Sequence, residues 1–289
     1  MSPNIVACVI VLFKPPNYTI DTVVRLANFG YSLVVVINDI DDKSLFMLRG
    51  IVGVHIIHNE KNVGLATALN QGIKYAFEKL NSSYVNLYDQ DSLPDDNLPL
   101  NLVAEIEASR NINCACIGPN IVDVKIDGNK KGGGAPHSLL LDPQTIITSG
   151  TLISKEMWLS IGPMLDFLFI DGVDHEWCLR ARSMGYNICV SSLYTMLHNM
   201  GDDCFYFFGK YKPIHRSPIR HYYIIRNSIY LLSVTYVPLR WKILEFFKTI
   251  RRIPFYLFAS NRTIESLTFI VLAVRDGFLM RSGVAKTHM

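Results

Sequence analysis

Four short apolar runs, set between segments of helical spacing and each leading into polar residues, constrain the fold of this 289-residue chain more than any other feature. Ile5–Leu12 is continuous, apolar and rich in β-branched residues, and it stops at Lys14-Pro15-Pro16, as a buried strand ended by prolines would. Leu33–Ile37 runs into Asn38-Asp39, Val54–Ile57 precedes Asn59, and Tyr84–Leu87 leads to Asp89. Residues 19–30 read as a helix closing at Gly30. Residues 64–80 place Leu65, Leu69, Ile73 and Phe77 at helical spacing. Strands alternating with helices predict an open, largely parallel α/β sheet. Ligands of such sheets bind beyond the carboxyl ends of the strands, where Lys14, Asp39, Asn59 and Asp89 all fall.

Further along, residues 94–110 and 174–184 read as helices, and Cys114–Val124 as a strand. Ile146–Ser154 alternates around Ser149-Gly150, and Ile188–Val190 and Tyr194–Leu197 read as two short strands, the second ending at His198. Asp127–Pro136 is a Gly- and Lys-rich loop. From about residue 205 the pattern becomes helical, aromatic and basic, which predicts a catalytic part over 1–204 and a helical region over 205–289.

Charge divides at the same place. Residues 1–204 hold 14 Lys and Arg against 22 Asp and Glu, whereas residues 205–289 hold 14 against 3. The tail should therefore meet an anionic surface. Its basic residues alternate with long apolar ones, as in Trp241–Lys248 and Arg251–Phe258, which argues against nucleic acid and for a helix lying on a membrane or packing on a second subunit. No apolar run reaches the roughly 20 residues of a spanning helix. The six cysteines form no regular framework, and the N-terminus lacks the marks of a signal peptide, so reduced thiols in a cytoplasm are expected.

Several groups of residues carry chemistry. Asp89 and Asp91 lie two apart at a strand's exit, so both project to one face. Paired carboxylates of this kind hold Mg2+ or Mn2+ whose remaining ligands come from substrate phosphates and water. His198 could complete that shell or hold a phosphate. Asn62 and Gly64 stand where a helix begins, with Asn62 as its cap, and a helix N-terminus suits a phosphate; Asn70 lies two turns on. In Phe169–Arg182, Asp174 opens a helix and is the candidate general base, with Asp171 its rival. Glu176 and Arg180 are spaced for an i, i+4 pair. Arg220, Tyr223 and Asn227 share one helical face that could grip a diphosphate.

Taken in order, these pieces resemble the inverting family 2 glycosyltransferases of the GT-A fold, most closely the bacterial rhamnosyltransferases that build O-antigen and related polysaccharides. The resemblance runs from about residue 4 to the end. It rests on Val9–Pro15, Asn62-x-Gly64-Leu65-Ala66-x-Ala68-x-Asn70-x-Gly72, Asp89-Gln90-Asp91, Phe169–Ala181, Arg220-x-Tyr222-Tyr223-x-x-Arg226-Asn227 and Arg275-Asp276-Gly277.

The resemblance implies a Rossmann-like mixed sheet flanked by helices and a nucleotide-diphospho-sugar donor, with dTDP-L-rhamnose favoured over UDP-glucose, UDP-galactose or GDP-mannose. It implies that Asp39, or Asn38 beside it, contacts the nucleotide base. Asp89 would sit near the ribose or phosphates, Asp91 would bind the metal, and Lys14, Gln90, Gly150, Arg220, Tyr223 and Arg226 belong to the expected donor site. The family's Glu-Asp acceptor motif aligns with Val173-Asp174, which keeps the Asp and lacks the Glu. The expected acceptor is a lipid-linked glycan, and the expected location is peripheral, on the cytoplasmic face of the bacterial inner membrane, with a homodimer possible. A nucleotidyltransferase would instead want a Gly-rich basic loop after the first strand, where this chain has Lys14-Pro15-Pro16-Asn17. A non-catalytic scaffold would not need Asp89, Asp91 and Asp174 intact.

Overall fold

The computed structural model describes residues 2–109, 112–123, 140–141, 144–198, 203–207, 210–214, 216–259 and 262–285. The Gly- and Lys-rich loop at 127–136 lies outside them. The first half is β1 (Val6–Phe13), α1 (Tyr18–Phe29), β2 (Ser32–Asp39), α2 (Asp42–Arg49), β3 (Val54–His58), α3 (Leu65–Glu78), β4 (Tyr84–Asp89) and α4 (Leu98–Ala108). Next come β5 (Cys114–Asp123), β6 (Leu140–Leu141), β7 (Leu152–Ser154), α5 (Lys155–Ile161), α6 (Val173–Ser183) and β8 (Asn187–His198). A hairpin, β9 (Asp203–Phe207) and β10 (Lys210–Ile214), leads to α7 (Pro218–Ser233), α8 (Leu239–Ala259) and α9 (Thr263–Phe278).

The main sheet runs β3-β2-β1-β4-β7-β5-β8-β6. β1 lies between β2 and β4, both parallel to it, with Val9 opposite Val34 on one side and Leu87 on the other. Its unbroken apolar run is explained by burial on both faces. Ala7, Val9 and Val11 join one core with α3 and Trp177, while Cys8, Ile10 and Leu12 join a second with α1, α2 and α4. α3 approaches β1 so closely that a Cβ on Gly72 would lie 2.4 Å from Val9.

The sequence reading is corrected in several places. β7 runs antiparallel to β4 and to β5, so the sheet is mixed rather than nearly all parallel. Of Ile146–Ser154 only Leu152–Ser154 is strand. The two strands expected at 188–197 are one, whose pairing with β5 is interrupted between Gly118 and Asn120. Helix from 205 onward gives way to the β9–β10 hairpin, which alternates apolar and polar residues less cleanly than a period-2 search requires. α2 and α5 were not expected. Each is short, and each is started by a side-chain cap, Asp41 on Ser44 and Ser154 on Met157. Against the expectation of six reduced thiols, Cys114 and Cys189 stand sulfur to sulfur, with their Cα atoms 6.4 Å apart. Neighbouring strands β5 and β8 bring these residues together.

The C-terminal helices pack on the sheet domain through side chains. Tyr222, Tyr223, Ile225, Tyr256, Phe269 and Ala273 enclose Phe169, and Leu231, Val237 and Trp241 pack on Leu179 of α6. Among the described residues no helix is long and apolar enough to cross a membrane. The Arg275-Asp276-Gly277 motif is a joint between α9 and α7. Asp276 accepts from Tyr222 Oη at 2.9 Å and Arg275 Nε at 2.8 Å, and Gly277 faces Ile229.

Burial pushes the Asp276 carboxyl upward, but the bonds from Arg275 and Tyr222 outweigh it and hold its pKa below the ordinary value. A carboxylate with a lowered pKa stabilises the fold above its unfolded pKa and loses that contribution as the pH falls through the folded one. Asp276→Asn is therefore expected to lower stability by about 1–3 kcal/mol at pH 7. The gap from wild type should close below about pH 4, which urea unfolding across a pH series measures. A gap constant with pH would assign the loss to packing alone.

Candidate active site

The sheet's topology assembles the site. β4 and β5 are each antiparallel to β7 and so parallel to one another, and β8 is parallel to β5. The carboxyl ends of β1, β2, β4 and β8 therefore share one edge. A bridge between Leu93 and Leu197 draws the segment after Asp91 onto the end of β8. Asp89, Asp91 and His198 consequently offer ligand atoms that all lie within 4.8 Å of one another. Two carboxylates and an imidazole are a donor set suited to Mg2+ or Mn2+.

Burial first, then the charges of Asp91, Asp174 and Asp171, push the Asp89 carboxyl up to about 7, with Arg220 pulling the other way. Three neighbouring carboxylates thus act on Asp89 at this rim, an arrangement that a bound cation would relieve.

Gln90, between the two aspartates, turns its carbonyl groups back into the fold. Its side-chain Oε1 accepts from the Phe13 N–H at 2.8 Å, and its main-chain oxygen from Thr19 Oγ1 at 2.7 Å. It locks the exits of β1 and β4 together. Lys14 adopts φ +49° there and its N–H donates to the Asp39 carbonyl at 2.9 Å. Lys14 Nζ stands 3.6 Å from Asp39 Oδ2, and both side chains reach solvent. Asn38 is buried instead. Its Oδ1 accepts from Asn59 Nδ2, and its Nδ2 donates to the Gly64 carbonyl. Of the two adjacent residues, Asp39 is the one presented at the rim.

The expected phosphate site at the start of α3 is not built. Gly64, not Asn62, is the residue at the cap, and Asn62 Oδ1 accepts the Gly64 N–H in a turn before the helix. The free N–H groups of Leu65 and Ala66 donate to the Phe169 carbonyl, at 2.6 and 3.2 Å. The close approach that Gly64 permits is thus made by the chain's own Phe169. A Cβ at Gly64 would lie 2.6 Å from the Phe169 ring, and the residue holds φ +86°. Gly64→Ala should cost about 1–3 kcal/mol, read as a lowered Tm; an unchanged Tm would show that the Phe169 loop yields freely.

Asn70 also serves the fold. It donates to the Met164 carbonyl and accepts the Met164 N–H, holding the segment that precedes Phe169. Gly150 exchanges bonds with Leu87 and Asn86 and packs on Pro119, which removes it from the rim.

Asp171 and Asp174 stand on the loop and first turn before and in α6. Phe169 and Asp171 both hold positive φ, +64° and +61°, conformations that side chains avoid unless neighbours impose them. The neighbour is α7. Asn227 Nδ2 donates to the carbonyls of Leu168, Ile170 and Asp171 at 2.9, 2.7 and 2.7 Å. Arg220 Nη2 meets Asp171 Oδ1 at 3.2 Å, while Asp171 Oδ2 is buried without a hydrogen-bond partner. Asp174 accepts the His175 N–H and keeps a solvent-facing edge; among the described residues no Lys or Arg pairs with it.

The diphosphate grip expected on α7 is corrected by burial. Arg226 is fully buried, donates to the carbonyls of Leu168 and Arg281, and lies against the rings of Phe167, Tyr222 and Tyr223. Tyr223 is buried and accepts the Ala285 N–H. The Arg-Tyr face thus holds the Asp171 loop. The i, i+4 pair of Glu176 and Arg180 forms as the spacing suggests, at 2.8 Å, and Tyr236 also donates to Glu176. Asn227 was recognised as part of a face but not as the residue that sets the loop; its i+7 spacing from Arg220 was the available signal.

A mixed sheet with an Asp-x-Asp pair, an imidazole and a helix-start carboxylate at its carboxyl edge defines a nucleotide-sugar transferase of the GT-A type. Comparison with solved structures agrees at the level of fold. S. aureus TarS residues 1–349 in complex with UDP-GlcNAc align over 97% of this chain and 82% of theirs, with a TM-score of 0.59 at 12% identity. GalNAc-T7 with UDP, GalNAc and Mn2+ aligns over 71% and 44%, with a TM-score of 0.51 at 16% identity. The sequence profile of Glycosyl transferase family 2 matches residues 8–151. The Shigella flexneri protein named dTDP-rhamnosyl transferase RfbF is 32% identical over 293 residues, covering 96% of each chain. The chain belongs to glycosyltransferase family 2.

Proposed function

We propose that the protein transfers L-rhamnose from dTDP-L-rhamnose, with inversion, onto a lipid-linked glycan at the cytoplasmic face of the membrane, in the synthesis of O-antigen or a related surface polysaccharide. The observation that carries the transferase chemistry is the convergence of Asp89, Asp91 and His198 beside Asp174 at one edge of the sheet. The choice of donor is supported by the end-to-end likeness to RfbF.

Asp89, Asp91 and His198 are the residues that would hold Mg2+ or Mn2+. That cation supplies positive charge for the departing nucleoside diphosphate. Asp39 and Lys14 offer polar contacts at the adjoining strand ends for the nucleoside. Asp174 accepts the proton of the acceptor hydroxyl as its oxygen attacks the anomeric carbon from the face opposite the leaving group, which inverts that carbon. Asp171 is the weaker candidate for this role, because Arg220 already occupies its Oδ1.

A donor panel tests the reading: hydrolysis of dTDP-rhamnose, UDP-glucose, UDP-galactose and GDP-mannose, with and without Mg2+ or Mn2+. Turnover of dTDP-rhamnose alone is expected, and preferred turnover of another donor would overturn the rhamnosyl assignment. The metal assignment has its own test. With dTDP at about 100 times its Kd, folding should be stabilised by about 2.7 kcal/mol, and Asp91→Ala should remove the metal-dependent part of the accompanying rise in Tm. A mutant with the full metal-dependent rise would remove Asp91 from the metal site.

A further inference from the structure

From the outer face of α8 we infer that this helix lies in the surface of an anionic bilayer, with its apolar stripe among the acyl chains and its basic flanks at the headgroups. Leu239, Ile243, Phe246, Phe247 and Ile250 recur at i, i+4, i+7, i+8 and i+11 and are all exposed, Phe247 at 64%. At 3.6 residues per turn they form one stripe. The opposite face, carrying Trp241, Glu245, Thr249 and Tyr256, is buried, and Glu245 accepts from Ser228 of α7. The stripe is therefore what remains after α8 has packed on its own chain. Helical geometry sets Arg240 and Arg251 along one flank of it and Lys242 along the other. α9 adds exposed Ile264, Leu267 and Val271 at i, i+3 and i+7.

Charge selects the occupant. Residues 205–289 contain three acidic residues, and each is engaged within the tail: Glu245 by Arg252, Glu265 by Arg262 and Asp276 by Arg275. The basic flanks of α8 accordingly have no tail carboxylate left to meet them across a symmetric contact with a second copy. A bilayer containing anionic lipid offers both an apolar layer for Phe246 and Phe247 and negative charge for Arg240 and Arg251. This inference deepens the proposed reading, in which the acceptor is lipid-linked. It would bring the acceptor-side carboxylates to the membrane through α7, which packs on α8 and holds the Asp171 loop.

Flotation of the full chain with vesicles of phosphatidylcholine, alone or mixed with phosphatidylglycerol, is the test. The wild type is expected to float with the anionic vesicles and to be released by high salt. Phe247→Glu/Ile250→Glu should bind at least about tenfold more weakly, and Arg240→Glu/Arg251→Glu should lose the preference for anionic lipid. A dTDP-induced rise in Tm equal to that of the wild type confirms that each variant is folded. Failure of the wild type to float, or undiminished flotation of Phe247→Glu/Ile250→Glu, would sink the idea. So would a dimer in sedimentation velocity that this variant converts to monomer while it still floats. A wild type that turns over dTDP-rhamnose but does not float overturns the docking alone. Intact binding without such turnover overturns the donor assignment alone.

Discussion

Asp174→Asn is expected to lower kcat by about 10³-fold, the scale of a lost general base, while the affinity for dTDP stays near that of the wild type. The substitution is nearly isosteric. The amide oxygen still accepts the His175 N–H, and the helix keeps its start at Val173, so the local fold has no reason to change. What is lost is the ability to take a proton from the acceptor. The residues proposed to hold the metal stand at the end of β4, in the turn after it and at the end of β8, not on α6, which is why nucleotide affinity should survive. Asp171→Asn is the comparison. It gives up the ion pair with Arg220 and leaves the loop less firmly held, so its effect should be spread over stability and kcat. The pair is read by kcat and dTDP titration. Full turnover by Asp174→Asn alongside a dead Asp171→Asn would exchange the two roles.

The parts of this site that were legible in the sequence are those fixed by local periodicity. β1 could be read because a strand buried on both faces has to be apolar at every position. Asp89 could be read as a strand-end carboxylate, but β4 stops there and Asp91 stands in the turn closed by the Ser92 N–H on the Asp89 carbonyl, so that turn and not strand alternation brings the two together. His198 was placed correctly at a strand end, and the Leu93–Leu197 bridge that brings it to the carboxylates involves residues far apart in sequence. The misreadings share one cause. Asn62, Gly64 and Asn70 look like a ligand-binding helix start because donors and a glycine are what such a site needs, yet the same residues serve equally to receive Phe169, 105 positions later. Arg226 and Tyr223 look like a diphosphate grip because the sequence displays their chemistry and hides their burial. Whether a polar residue faces a ligand or its own chain is decided by tertiary packing, and short motifs do not encode it.

Asn227→Ala carries the second large expected effect, and it tests whether the C-terminal helices belong to the chemistry. One buried amide nitrogen serves three carbonyls, those of Leu168, Ile170 and Asp171, across a stretch in which two non-glycine residues hold positive φ. Removing it leaves the Ile170 and Asp171 carbonyls short of a donor, while Leu168 keeps Arg226, at a cost of about 1–3 kcal/mol in stability. The strained loop then relaxes, and Phe169, whose carbonyl caps α3 and whose ring packs on Tyr223, moves with it. Asp171 and Asp174 leave their positions opposite the metal rim. A misplacement near 1 Å lowers the rate by roughly 10²-fold, so kcat should fall by about that factor while dTDP binding, which the proposed site draws from the ends of β2 and β4, is retained. A merely structural role would lower Tm and leave the kcat of the folded fraction unchanged. Equal losses in kcat and nucleotide affinity would instead place the loop in the donor site. The split expected here would make α7, through Asn227 together with Arg220 and Arg226, the element that holds the proposed base against the sheet.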